Sequence, residues 1–241
     1  MLGSKIENKK YFGHNKKRFQ LIVDELDRLL KNKNKIRILD IGTSPLTFLI
    51  RERYPKINLT TLDYSNNFKS RCRREKIEFI KKDLNKPIKG LMENYFDVIL
   101  FLEVIEHLSS DGSYVLNKIG DLLKPGGYLL VQTPNRFSLK NVVLNIISEK
   151  AWDNLSCPPL GGEEFDHFKE YGFDELKLIL KKVRNLRLVR SEKPLYFDYP
   201  ESTLVYRKSK FIFYPIMYLY FLTVYLIPIF RRGMYFKLRK I

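Results

Sequence analysis

Cysteine is nearly absent. Cys72 and Cys157 are the only two in 241 residues, far apart and in no metal-binding or redox spacing, so a reduced, cytoplasmic chain is expected. Histidine is almost as scarce: His14, His107 and His167 are the whole supply for imidazole chemistry. Negative charge is short as well, with 27 Asp and Glu against 44 Lys and Arg, a formal net charge of +17. Part of this reflects a composition rich in Lys, Ile and Asn throughout, yet a balance this basic attracts anionic partners such as nucleic acid or a phospholipid surface. No apolar segment follows Lys5, Lys9 and Lys10, so a signal peptide is not expected, and no internal repeat is visible.

What is present is a globular composition, 44% hydrophobic and 29% charged, in a length that suits one sizeable α/β domain with an appendage. Between Lys16 and Lys31, the residues Phe19, Ile22, Val23, Leu26, Leu29 and Leu30 share one face of an amphipathic helix. Short apolar runs then read as strands: Ile36–Ile41, stopped by Gly42; Ile57–Leu62, ending at Asp63; Ile77–Ile80, ending near Asp83; Phe96–Leu102; and Tyr128–Gln132, after a turn at Lys124–Gly127. Helices are expected at Leu46–Arg53, Gly112–Leu123, Leu139–Ser148 and Asp174–Val183, the last with Asp174 as its N-cap. Trp152–Gly162 reads as a loop or lid, because it holds Cys157-Pro-Pro159 and Gly161-Gly162, and Leu186–Phe197 reads as a strand.

Strands alternating with helices require crossover connections, hence a mostly parallel sheet covered on both faces. Ligands of such sheets sit beyond the carboxyl ends of the strands. Asp40, Asp63, Asp83 and Glu103 all fall there, four carboxylates on one rim. The expected organisation is a helical lead-in over 1–35, a core over 36–200, and a C-terminal piece over 201–241.

That last piece is unusual. Phe211–Phe230 carries no charge and is long enough for a membrane span, but it contains Pro215, Pro228 and four tyrosines. Basic clusters flank it on both sides, Arg207, Lys208 and Lys210 before and Arg231, Arg232, Lys237, Arg239 and Lys240 after. A single span would place one cluster outside, so a helix lying in the membrane interface or docked on the domain fits better. Met234–Lys240 alternates like a final strand, and if that strand joins the sheet a span is excluded.

The run Ile38-Leu-Asp-Ile-Gly-Thr-Ser-Pro45 resembles the first motif of class I S-adenosylmethionine-dependent methyltransferases. The acid of Thr61-Leu-Asp63 follows in order, then Lys82-Asp83-Leu84, Phe96–Leu108, Leu122–Asn135 and Phe165–Tyr171. The resemblance covers roughly residues 36 to 190 and is of the type 11/23-like kind, similar to ubiquinone-biosynthesis O-methyltransferases. It implies a Rossmann-like, mostly parallel seven-stranded sheet with helices on both faces, and a hydrophobic C-terminal helix before the last strand. The chain departs from the family's three alternating glycines: only Gly42 is kept, with Ser44 and Leu46 at the other two positions. A leucine there would crowd a ligand unless the loop is reshaped, as Pro45 suggests.

The resemblance implies S-adenosylmethionine as cofactor and assigns the rim. Asp63 would accept from the ribose hydroxyls with Tyr64 beside it, and Asp83 from the adenine amino group with Leu84 against the ring. Asp40 with Gly42, Thr43 and Ser44 would hold the methionine tail. Phe101, Leu102 and Glu103 would floor the sulfonium. His107 or His167 would serve as base for a hydroxyl acceptor. Glu103, Glu106, His107 and His167 also resemble the magnesium-binding set of plant small-RNA 2′-O-methyltransferases, and packing under the cofactor accounts for the same string without a divalent metal. The leading expectation is O-methylation of a small-molecule, lipid-linked or glycan hydroxyl by a cytoplasmic chain, peripheral to an anionic inner-membrane surface. Behind it stand a metal-dependent RNA 2′-O-methyltransferase, for which no nucleic-acid-binding module is found, and a non-catalytic membrane-associated scaffold that binds the cofactor.

Overall fold

The computed structural model describes residues 6–31, 35–88, 90–147, 169–195 and 214–241. Seven strands form one sheet: β1 (Arg37–Ile41), β2 (Asn58–Asp63), β3 (Glu78–Lys81), β4 (Phe96–Leu102), β5 (Leu123–Pro134), β6 (Leu186–Glu192) and β7 (Gly233–Lys240). Their spatial order is β3-β2-β1-β4-β5-β7-β6. β1 to β5 pair in parallel, and β7 runs antiparallel to both β5 and β6. The helices are α1 (Ile6–Leu30), α2 (Pro45–Arg53), α3 (Lys69–Arg74), α4 (Gly112–Leu122), α5 (Leu139–Ile147), α6 (Phe173–Lys182) and α7 (Tyr214–Leu226).

Side chains of successive strand residues point to opposite faces, and the sequence fills both with apolar groups. One face buries Ile38, Val98, Leu100 and Leu130 under Phe19, Ile22 and Leu26 of α1 and Phe48 and Ile50 of α2. The other buries Leu39, Ile41, Ile99, Phe101 and Val131 under Val115, Leu116 and Ile119 of α4 and Leu176 and Leu180 of α6. Each such burial is worth roughly 1.5–3 kcal/mol relative to exposure. The apolar stripe of α1 makes it a covering layer of the sheet.

Three local expectations are corrected. The Lys124–Gly127 turn lies inside β5, where the register with β4 shifts between Phe96 and Val98. Gly127 has to be glycine there, since a Cβ would sit 2.9 Å from the Lys124 carbonyl and 3.0 Å from that of Asp97. The N-cap of α6 is Gly172 rather than Asp174; its amide donates to Glu175 Oε2 at 3.3 Å, and Asp174 sits in the first turn, where an acid suits the helix dipole. The C-terminal helix is shorter than the uncharged stretch. It ends at Leu226, because Pro228 cannot continue it, and gives way to a 3₁₀ turn over Pro228–Phe230. Arg231 closes that end by donating to the carbonyls of Val224, Tyr225 and Lys193. The chain then re-enters the sheet as β7, and no described helix is long and apolar enough to cross a membrane. The expected lid at Trp152–Gly162 lies outside the described residues.

Candidate cofactor site and active site

The strand order reverses between β1 and β4, so the loops after these two strands diverge and leave a crevice. Gly42 leaves β1 at φ +87, a conformation that disfavours a side chain, and a Cβ there would come within 3.1 Å of Val104 Cγ2 after β4. The two crevice walls therefore touch at Gly42 and Val104.

Asp40, Thr43 and Asp63 are drawn together by one network. The Thr43 amide donates to Asp63 Oδ2 at 3.0 Å, and the Ser65 amide donates to Oδ1 at 2.9 Å. Both Asp63 oxygens are thus pinned, each with a lone pair left to accept from a ligand. The Thr43 and Thr61 hydroxyls meet at 2.9 Å, and Thr61 donates to the Asp40 carbonyl at 3.0 Å. Asp40 is 2% exposed, and its carboxylate takes a 2.6 Å hydrogen bond from Thr47. Burial pushes the Asp40 carboxyl up to about 7; the Thr47 hydrogen bond pulls against this, and the nearby Asp63 charge adds to it.

The two missing glycines are explained locally. Ser44 sits in extended backbone and caps α2: its Oγ accepts from the Leu46 amide at 3.2 Å, and Thr47 Oγ1 accepts from the Ser44 amide at 2.9 Å. Pro45 opens the helix. Leu46 is 2% exposed and packs in the core on the α1 side, so it does not crowd the crevice. Of this loop only Gly42 needs left-handed backbone.

Around these residues, Tyr64 is exposed beside Asp63 and Leu84 is buried beside Asp83. Asp83 accepts from the Asn85 amide at 2.9 Å, and Asn85 Oδ1 in turn accepts from the Ser109 and Ser110 amides, which ties the loop after β3 to the one after β4. Phe101 is fully buried as core, and Leu102 is half-buried on the opposite face.

Glu103 leaves β4 at φ +56, uncommon for a residue with a side chain, and its amide donates to the Gln132 carbonyl at 2.8 Å. Its carboxylate meets Arg18 of α1 at 3.2 Å. Glu106 is fully buried; Thr133 donates to its Oε2 at 2.8 Å, while Oε1 has no hydrogen-bond partner among the described residues. Burial first, and then the Glu103 charge, hold the Glu106 carboxyl well above the usual range. His107 lies half-buried in the 3₁₀ turn Ile105–His107, and His167 lies outside the described residues.

Of the alternative metal set, only Glu103, Glu106 and His107 lie among the described residues. Among the described residues no group of three or more His, Cys, Asp or Glu is placed to hold a metal ion. Glu103 is committed to Arg18, and Glu106 is a buried acid held toward its neutral form, a poor ligand for a cation.

Sequence reasoning missed Arg18, Thr47 and Gln132. Thr47 was legible as the fourth position of a capping box beginning at Ser44. Gln132 is 1% exposed, between Leu102 and Tyr235 in the sheet, with neither end of its side-chain amide hydrogen-bonded among the described residues. Asn135 turns out to be an anchor: its Nδ2 donates to the carbonyls of Ile229 and Arg231, fastening the C-terminal segment to the end of β5.

Comparison with known proteins bears on the family and the fold. A ubiquinone biosynthesis O-methyltransferase from Rickettsia felis is 29% identical over 133 residues, 54% of this chain and 54% of its own length. The chain thus matches over about half the length of that relative. The crystal structure of a SAM-dependent methyltransferase from Archaeoglobus fulgidus superposes with a TM-score of 0.56 at 18% identity, covering 95% of this chain and 99% of that one. Phosphoethanolamine N-methyltransferase 2 from Haemonchus contortus, in complex with S-adenosyl-L-methionine, gives a TM-score of 0.62 at 16% identity, covering 92% of this chain and 52% of that one. At these identities the structural likenesses establish the fold. Residues 14–190 match the family described as a methyltransferase domain, well over half of the sequence, and the chain belongs to that family.

Proposed function

We propose that this chain transfers the methyl group of S-adenosylmethionine to a hydroxyl of a small-molecule or lipid-linked acceptor. The observation that carries the reading is the Asp63 carboxylate, fixed by the Thr43 and Ser65 amides beside the left-handed Gly42 at the switch point. A carboxylate with both oxygens pre-positioned fits a vicinal diol such as the ribose of the cofactor. The Asp40 carboxylate and the loop Gly42 to Ser44 fit its charged amino-acid tail, and Asp83 with the buried Leu84 fits the adenine. The bound cofactor supplies a methyl group already activated by its sulfonium.

The protein's own work is then alignment and proton removal. Leu102, Glu103 and Val104 at the end of β4 set the wall against which an acceptor lies, and proximity carries much of the rate. His107 stands one turn beyond that wall and would take the acceptor's proton. The likeness to ubiquinone biosynthesis O-methyltransferases supports oxygen as the acceptor atom. The lipid-linked part rests on α7, where Tyr218, Leu219, Tyr225 and Leu226 are each more than half exposed on a chain of charge +17. An apolar helix on a basic protein suits an anionic membrane surface.

Methyl-labelled S-adenosylmethionine, incubated with the protein and a whole-cell extract, tests the reading after organic partition. Label in the organic phase is expected, with turnover cut at least tenfold in His107→Ala while cofactor affinity holds. Asp63→Ala should lose cofactor binding. Label confined to RNA would replace the acceptor proposed here, and cofactor binding retained in Asp63→Ala would remove the ribose assignment.

A further inference from the structure

The amino-terminal end of the sheet, opposite the cofactor rim, carries a second cavity of about 390 Å³. It is an open pocket lined by the start of β1, the residue before β4, the end of α2 and the connections into β2 and β3. Arg37, Arg51, Lys56 and Lys76 line it, with Glu78 as the one carboxylate. The floor includes Tyr95. Four cations against one acid make this a concentrated positive pocket, within the size range of small-molecule sites.

The ordinary explanation of basic residues here is compensation of helix dipoles, since α2 and α3 both end on this side. That explanation covers Arg53 and Arg71, which are already paired with Asp27 and Glu75. It does not cover Arg37, Lys56 and Lys76, which lie in a strand start and two loops. Among the described residues none of these three makes an ion pair or a side-chain hydrogen bond. Lys76 is moreover held at φ +54, which a glycine or asparagine would adopt more easily. Glu78 is partly satisfied, its Oε2 accepting from Thr60 at 2.8 Å.

Arg37 is pre-organised. Its guanidinium lies over the Tyr95 ring at 4.2 Å, which restrains it, while its backbone amide is tied to Asp97 Oδ2 at 2.9 Å. A guanidinium restrained against a ring, with two lysines from other loops lining the same cavity, suits a doubly charged tetrahedral anion better than a single carboxylate. Helix C-termini offer no amide donors here, so the side chains must supply the attraction.

We propose that this cavity is a second binding site, which takes a ligand bearing a phosphate group. Because β1 runs from Arg37 at this cavity to Asp40 at the cofactor rim, the two sites lie at opposite ends of one strand, with these two residues roughly 10 Å apart.

The test is calorimetric titration of the full chain with inorganic pyrophosphate at low salt, with S-adenosylhomocysteine saturating the other site. One saturable site is expected, weakening as salt rises. Affinity should fall at least tenfold in Arg37→Gln and at least threefold in Lys56→Gln and Lys76→Gln, with S-adenosylhomocysteine affinity unchanged. Lys56 and Lys76 are exposed, so they carry the test if Arg37→Gln fails to fold. Displacement of pyrophosphate by a nucleoside monophosphate would assign the phosphate to a soluble nucleotide. Displacement only by vesicles containing phosphorylated lipid would assign it to a headgroup. Absence of saturable binding at millimolar pyrophosphate, or wild-type affinity in the lysine variants, would overturn the proposal.

Discussion

Arg18, midway along α1, reaches the carboxylate of Glu103 beyond β4 at 3.2 Å. The contact is mostly shielded, with the two side chains 10% and 23% exposed. It ties the first helix to the wall of the crevice and holds Glu103 in its left-handed turn. Removing the cation leaves a partly desolvated carboxylate, at a cost on the order of 1–3 kcal/mol. Arg18→Ala should therefore weaken S-adenosylmethionine binding by roughly tenfold, since about 1.4 kcal/mol is a factor of ten. Arg18→Lys should recover part of it. Calorimetric affinity equal to wild type in Arg18→Ala would make the pair a bystander.

Gly42 is a sharper test of the crevice. Alanine there must adopt φ +87 and push its Cβ to 3.1 Å from Val104 Cγ2. The combined strain is about 1–3 kcal/mol, which for a chain of this length lowers Tm by roughly 2–4 °C per kcal/mol. Gly42→Ala should melt earlier in differential scanning calorimetry and bind the cofactor more weakly. Ser44→Gly should not improve binding, because Ser44 already sits in ordinary extended backbone and caps α2.

The sheet was legible because its information is local. β4 reads as an uninterrupted apolar run and appears at its observed ends, whereas the apolar stripe of α1 marks only its C-terminal end, since the helix begins at Ile6, ten residues before Lys16. The positions of the rim acids were legible for the same reason: Asp63 closes a strand that could be seen, and Asp40, Asp83 and Glu103 lie within two residues of the end of one. What the sequence hid depends on contacts between distant segments. Arg18 meets Glu103 only after α1 folds back over β4. Leu46, which looked like an obstruction at a glycine position, is harmless because α2 turns it into the core, and that turn rests on the Ser44–Thr47 box and Pro45. The basic cavity is assembled from several separate connections and has no signature in any one of them.

The helix Tyr214–Leu226 makes a prediction about surfaces. Val224 is its fully buried contact, whereas Tyr218, Leu219, Tyr225 and Leu226 remain more than half exposed. Leu219→Glu and Leu226→Glu together should leave thermal stability within about 0.5 kcal/mol of wild type, as exposed substitutions do. They should abolish co-sedimentation with anionic vesicles, and raised salt should weaken wild-type binding. Equal sedimentation of the double variant would leave charge alone as the cause of any membrane attraction.

Asp40 gives the cofactor site a pH dependence whose sign can be worked out. Its carboxyl is pushed up to about 7 in the folded protein, above the ordinary 3.8. The folded state therefore holds a proton that the unfolded chain has released between these values, and Asp40's contribution to stability is lost as pH rises through about 7. Ligand binding runs the other way. An ammonium group on the methionine tail favours the ionised carboxylate, so cofactor affinity should rise as pH climbs through about 7, and binding below that point should release a proton. Calorimetry in two buffers of different ionisation enthalpy reads that proton directly. Asp40→Asn should bind more weakly, lose the rise and release no proton, because Thr47 keeps a hydrogen-bond acceptor while the titrating group is gone. A variant that still released the proton would move the linkage to another group and take Asp40 out of the tail site.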